Sequence, residues 1–180
     1  LVEEQVGDCS RHPLYQPQFP ARMRWLRCGA CRHVFVDGYF GPRALERLFS
    51  AGNPHQRPGW DPHGTRAISA RMVEKVLAVL GGARGRWLDV GFGNGALLGT
   101  AAEYGFEPVG LDVRAENVEL LRLHGIEAST QELTDYHPDS ALTVLSMADV
   151  LEHLPFPKPA LAHAHDLLAA DGLLFVSMPN

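Results

Sequence analysis

The sequence predicts a doubly wound α/β fold built on a parallel sheet, and three observations carry that reading. Strand-like and helix-like patterns alternate regularly from residue 86 onward. The first of these strands ends in an acid and three glycines, Trp87-Leu-Asp-Val-Gly-Phe-Gly-Asn-Gly95, and a helical pattern opens directly behind it. The second strand, Pro108-Val-Gly-Leu-Asp-Val113, ends on another acid, Asp112.

Taken in order, residues 1–40 are rich in Cys, Pro, Arg and aromatic residues and predict a small separate module. Residues 41–64 follow as a short helix and a linker. Pro42 opens the helix, which runs to Phe49 with Leu45, Leu48 and Phe49 on one face. The chain-breaking residues of 51–64 suit a linker or a mobile lid. From Thr65 a longer helix sets Ile68, Met72, Val76, Leu77 and Leu80 on one side and stops at Gly81-Gly82. The main unit is expected over 65–180, with strand 86–90, helix 96–104, strand 108–113, helix 115–124, strands 126–130 and 142–147, helix 159–170 and strand 173–178. No internal repeat or low-complexity segment interrupts this order.

The glycine turn predicts a ligand site. Gly91, Gly93 and Gly95 permit positive φ and close backbone approach, and the helix behind them offers unpaired N–H groups. Gly-x-Gly turns also serve dinucleotides, but Asp89 would place negative charge beside a pyrophosphate. A ligand with a cationic amino-acid part suits Asp89 better, and S-adenosylmethionine is such a ligand. Asp112 stands where a carboxylate accepts hydrogen bonds from both ribose hydroxyls.

Composition agrees with a globular enzyme. The chain has 180 residues, 46% of them hydrophobic, and a formal net charge of −5. That allows one main domain with a small appendage and gives duplex nucleic acid no general basic surface. No apolar run approaches the roughly 18 residues of a membrane span and no signal-peptide pattern opens the chain, so a cytoplasmic location is expected. No feature speaks to oligomeric state.

From about residue 65 to 180 the chain resembles a class I S-adenosylmethionine-dependent methyltransferase of the ubiquinone/menaquinone-biosynthesis-like branch. The resemblance rests on Leu88-Asp-Val-Gly-Phe-Gly-Asn-Gly95, Gly110-Leu-Asp-Val113, Asp149-Val-Leu-Glu-His-Leu154 and Leu173-Leu-Phe-Val-Ser-Met-Pro-Asn180, in that order. One departure is Leu142-Thr143, where the family usually has Phe-Asp. The resemblance implies a Rossmann-like sheet of order 3-2-1-4-5 with the ligand at the carboxyl ends of strands 1 and 4. The family's final helix and hairpin are absent from this chain, so its sheet is expected to lack the last strands.

The resemblance also assigns residues. Asp89, Gly91, Gly93, Gly95 and Asp112 match the cofactor motifs for S-adenosyl-L-methionine or its product S-adenosyl-L-homocysteine. Phe92 and Asn94 lie in the same turn, and Val113 follows the ribose acid where an apolar side chain often packs on adenine. Gln131 and Glu132 occupy the usual adenine-edge loop. Ser146, Met147 and Ala148 end the fourth strand beneath the methionine part. Each secondary position has a plain core or loop alternative.

A second constellation is Cys9-x2-His12 followed, after fifteen intervening residues, by Cys28-x2-Cys31. Two close pairs of soft or borderline ligands make a structural, tetrahedral Zn2+ site chemically reasonable, stapling a segment too small for its own core. Leu26-Arg-Cys-Gly-Ala-Cys-Arg-His-Val-Phe-Val36 resembles the knuckle of the zinc-ribbon-like module that precedes some methyltransferases of this branch. The alternative is that Cys9 and His12 are flexible terminal residues and Cys28 and Cys31 reduced thiols in a hairpin; His33 is a replacement ligand disfavoured by its closeness to Cys31. The third constellation, Asp149, Glu152 and His153, has helical i, i+3, i+4 spacing and can converge on one face. In related quinone-pathway enzymes, groups at matching places bind a divalent cation. A structural helix start, found across methyltransferases with varied acceptors, is the preferred explanation of the segment. His153 is also a candidate general base. His124, His137, His163 and His165 read as surface or helix residues.

The expected function is methyl transfer from S-adenosylmethionine to a small-molecule acceptor, a sugar, phenol or specialised metabolite, by direct displacement. An RNA base methyltransferase is an alternative, with Arg22, Arg24, Arg27 and Arg32 available to phosphate; a solvated basic face accounts for them more simply. A non-catalytic cofactor-binding or interaction module is the alternative from another class.

Overall fold

The computed structural model describes residues 2–13, 15–17, 19–50, 53–82 and 84–179. Ala51 and Gly52 of the breaker-rich loop and Asn180 of the last motif lie outside them. The chain divides into two units, Leu1–Phe49 and Ser50–Asn180.

The first unit carries an antiparallel sheet of order β1-β2-β3: β1 (Val2–Asp8), β2 (Arg22–Cys28) and β3 (Val34–Val36). Helix α1 (Pro42–Ser50) follows. The β1–β2 register runs from Val2 opposite Cys28 to Asp8 opposite Arg22. None of the described residues through Phe49 is fully buried.

The second unit is a five-stranded, all-parallel sheet. Its strands are β4 (Arg86–Val90), β5 (Glu107–Leu111), β6 (Glu127–Ser129), β7 (Leu142–Ala148) and β8 (Leu168–Ser177), in the order β6-β5-β4-β7-β8. This is the 3-2-1-4-5 order that the family resemblance implies. Helices α2 (Pro62–Leu80), α3 (Ala96–Glu103), α4 (Ala115–Leu123) and α5 (Pro157–Leu167) connect and cover it. No helix among the described residues is long and apolar enough to cross a membrane.

Local chemistry explains the helix limits. Asp61 caps α2 by accepting from the Gly64 amide at 3.1 Å, Pro62 supplies the preset φ of the first turn, and left-handed Gly81 ends the helix. The helix therefore begins three residues before the expected Thr65. Its inward face is Ser69, Val73 and Val76, flanked by Met72, Leu77 and Leu80. Ile68, expected on that face, is turned to solvent.

Side chains alternate across the central strands and build two cores. Trp87 and Val144 join α2, α3 and α4 residues on one face; Leu88, Leu145 and Met147 join Ala160, Ala164 and Leu167 of α5 on the other. Gly110 of β5 is needed for close packing. A Cβ there would lie 2.5 Å from Phe92 Cδ1 and 3.0 Å from both Leu98 Cδ1 and Leu121 Cδ2.

Candidate functional site

β4 stops at Val90, and the chain turns through Gly91, Gly93 and Gly95 with φ of 67°, 57° and 70°. Non-glycine residues rarely hold this region, and a Cβ on Gly91 would also lie 2.7 Å from Val150 Cγ2. The Gly91 amide donates to Leu111 O at 2.6 Å, which ties the turn to the end of β5. The turn therefore sits at the carboxyl ends of β4, β5 and β7. That is the switch point where the sheet order reverses and where ligands bind in such sheets.

Two acids meet there. Asp89 is 3% exposed. Its Oδ1 accepts from Ser146 Oγ at 2.6 Å, and Ser146 lies directly opposite it on β7. Ser146 Oγ in turn accepts from Trp87 Nε1 at 2.8 Å. Burial pushes the Asp89 carboxyl up to about 7; the Ser146 hydrogen bond pulls it down, and the nearby Asp112 charge raises it further. No cation pairs with Asp89 among the described residues. A buried carboxylate in this condition suits a ligand ammonium.

Asp112 is handled differently. Its Oδ1 accepts from the Arg114 amide at 3.0 Å and Arg114 Nε at 2.8 Å; its Oδ2 accepts from Arg114 Nη2 at 2.7 Å and the Gly93 amide at 3.1 Å. A carboxylate has about four acceptor positions, so this one is filled. A ribose diol docking at Asp112 must take the places held by the Arg114 guanidinium. Arg114 also reaches Gln56 Oε1 at 3.1 Å. The segment Pro54–Gln56 is held over the turn, with Asn117 Nδ2 donating to Gln56 O at 2.8 Å, Asn94 Nδ2 to His55 O at 3.3 Å, and Arg57 paired with Glu116 at 2.6 Å. Within the loop expected to be a linker or mobile lid, residues 55–57 are thus tied to the elements around the turn.

The secondary positions separate into wall and core. Val113, Gln131 and Glu132 are exposed at the sheet's carboxyl edge, where the adenine-side residues were expected. Phe92 is buried in the α3–α4 core. Asn94 accepts from the Ala96 amide at 3.0 Å, so its carbonyl serves the first turn of α3. Met147 is wholly buried in the α5 core and Ala148 is half-buried. Sequence patterns missed Arg114, Asn117 and Gln56. The signal available was Arg114 two residues after the second acid.

Two metal constellations require correction. Cys9 lies at the Asp8/Arg22 end of the β1–β2 pair, its amide donating to Ala21 O at 2.8 Å, whereas Cys28 is at the Val2 end. At about 3.3 Å per residue, that register separates the pairs Cys9/His12 and Cys28/Cys31 by roughly 20 Å, far beyond the reach of one zinc. Cys28 and Cys31 do form a local turn. The amides of Cys31 and Ala30, then the Cys31 thiol, hydrogen-bond to the Cys28 sulfur and hold its thiol below the usual range. The third constellation, Asp149, Glu152 and His153, lacks the α-helix its spacing implied. Asp149 takes a left-handed φ of 55°, Leu151–His153 is a single 3-10 turn, and Asp149, Glu152 and His153 are all exposed. Among the described residues no group of three His, Cys, Asp or Glu side chains is placed to hold a metal.

Comparison with known proteins agrees with this geometry. Residues 63–180 match the family model described as "Methyltransferase domain". A ubiquinone biosynthesis O-methyltransferase of Xanthomonas oryzae pv. oryzae is 32% identical over 159 residues, covering 81% of this chain and 64% of that protein. One from Shewanella halifaxensis is 28% identical over 134 residues, covering 67% and 57%. The chain thus spans just over half to under two thirds of the curated relatives it matches. Among solved structures, CalS10, an amino pentose methyltransferase from Micromonospora echinaspora solved with S-adenosylmethionine bound, aligns with a TM-score of 0.57 at 20% identity over 80% of this chain and 58% of that one. The N-methyltransferase NodS from Bradyrhizobium japonicum, with S-adenosylhomocysteine, gives 0.58 at 19% identity over 74% and 70%. These likenesses establish the shared fold.

Proposed function

The chain belongs to the methyltransferase-domain family, and from that premise we propose that it transfers a methyl group from S-adenosylmethionine to a small-molecule acceptor by direct displacement. The observation that carries the reading is Asp89: a buried carboxylate, pushed up to about 7 and without a cationic partner, beside a three-glycine turn at the switch point.

The residues present fit this cofactor. Asp89 takes the ammonium of the amino-acid part, Asp112 takes the ribose hydroxyls once Arg114 withdraws, and Gly91, Gly93 and Gly95 leave room for the chain between them. Val113 offers an apolar surface to the adenine, with Gln131 and Glu132 at its edge. When bound, the cofactor supplies a methyl group already activated on a sulfonium. What the protein adds is alignment and exclusion of water. A base is needed only when the acceptor must lose a proton, and His153 on the turn after β7 is the candidate for that role.

Oxygen is the favoured acceptor atom, because the relatives aligned over most of this chain are named ubiquinone biosynthesis O-methyltransferases. A phenol leads, with a sugar or specialised metabolite next. Titration calorimetry with S-adenosylhomocysteine and, separately, NAD tests the cofactor: the first binds and the second does not. A folded protein that binds NAD and ignores S-adenosylhomocysteine overturns the proposal.

A further inference from the structure

We propose that Trp87 and Ser146 form an oriented donor chain, Trp87 Nε1–H to Ser146 Oγ and Ser146 O–H to Asp89 Oδ1, that positions Asp89 as a carboxylate for the cofactor's ammonium. The inference rests on the cofactor reading above.

The strand register creates the chain. Asp89 lies opposite Ser146 and Trp87 opposite Val144, and side-chain alternation puts Trp87, Asp89 and Ser146 on one face. All three are buried. An indole N–H can only donate, so Trp87 occupies a lone pair of Ser146 Oγ at 2.8 Å and leaves the serine's single proton to be donated elsewhere. Two acceptors compete for that proton: Asp89 Oδ1 at 2.6 Å and Leu88 O at 3.4 Å. The shorter contact goes to an acceptor that, when ionised, forms the stronger hydrogen bond. A protonated Asp89 would reverse the bond and send the serine proton to Leu88 O. Trp87 keeps its place in both arrangements and polarises the hydroxyl it donates to.

Burial opposes the charge on Asp89, and few other groups bear on it. From the end of β5 the charged neighbours are Asp112, which disfavours ionisation, and its partner Arg114. β7 contributes the neutral Ser146, and the turn from Gly91 to Gly95 has no titratable side chain. Trp87 also packs edge-on against Phe106, with ring centroids 4.9 Å apart, so its role in the core must be separated from its role as donor.

The test follows the Asp89 carboxyl by carbon NMR in the cofactor-free protein, alongside S-adenosylhomocysteine affinity at pH 6.5 and 8.5. Ser146→Ala raises the titration midpoint by about one pH unit, the scale of one hydrogen bond to a charged group. It weakens binding about tenfold at pH 6.5 and less than about twofold at pH 8.5, following the ionised fraction. Trp87→Phe moves both readouts the same way by a smaller amount. Replacing Trp87 with 3-benzothienylalanine, which keeps the shape and lacks only the N–H, does so without a change in packing. Unmoved midpoints in the Ser146→Ala protein and in the Trp87 isostere would overturn the donor chain, as would equal affinity loss at both pH values. Wild-type protein that titrates as described but never binds S-adenosylhomocysteine would instead overturn the cofactor reading.

Discussion

The two units spend their hydrophobic residues in opposite ways. In the parallel sheet, Trp87, Leu88, Val144, Leu145 and Met147 are wholly buried, and both faces are covered by helices. In the antiparallel sheet, Val6, Trp25, Val34 and Phe35 remain exposed. A small sheet with so little buried is marginal on its own. The contrast also separates two kinds of sequence signal. An acid and glycines at the end of a strand fix a site through local connectivity, whereas paired cysteines and histidines fix one only if the strand register brings them together.

The largest expected effect is in amide hydrogen exchange. The β4 and β7 amides should exchange roughly a thousandfold more slowly than those of β1–β3, because only the former require global opening. Equal protection would break the comparison. Next come glycine substitutions. Gly110→Ala forces a Cβ into Phe92, Leu98 and Leu121 and should cost about 1–3 kcal/mol in chemical denaturation. Gly7→Ala in β1 meets its nearest neighbour, Trp25 Nε1, at 3.4 Å and should be neutral or slightly stabilising.

Asp89→Asn should stabilise the cofactor-free protein at pH 8 and change little at pH 4. The folded-state value is raised from the ordinary 3.8 to about 7, so the folded chain holds the proton more tightly. The associated stability is fully present below 3.8 and is lost as pH rises through about 7. Thermal melts at the two pH values check the sign. Arg114→Ala should tighten S-adenosylhomocysteine binding about threefold to tenfold by removing a competitor from Asp112, and should speed proteolysis near Gln56. The smallest effect concerns the first unit: Cys28 should be alkylated before Cys9 and Cys31, which peptide mapping reads directly.

The strands and helices of the second unit were legible because their periods and caps are local. β4 falls at 86–90 as expected, and helices α3 and α4 start at Ala96 and Ala115. α5 begins two residues before the expected 159, with Pro157 in its first turn. β8 reaches back to Leu168, because its pairing with β7 shifts register between Leu142 and Val144 and takes in residues that carry no strand period. The placing of Asp89 and Asp112 at the strand ends, where the sequence expected cofactor acids, was legible from their position at the close of apolar runs. The Arg114 clamp was not, since a charged residue after an acid does not show where its side chain folds back. Nor was the separation of Cys9 from Cys28, which depends on a hairpin register no spacing rule supplies. Trp87 entered only as part of strand 86–90, although a buried indole usually finds an acceptor, and here the acceptor is fifty-nine residues away.

The most direct test is calorimetric titration of wild-type and Asp89→Asn protein with S-adenosylhomocysteine across pH 6 to 8.5. The expected result is one site per chain in the wild type, with affinity falling as pH drops below about 7, and at least a tenfold loss in the variant with its pH dependence gone. Equal affinity in both proteins, or none in a folded wild type, would contradict the assignment of this buried acid to the methyl donor.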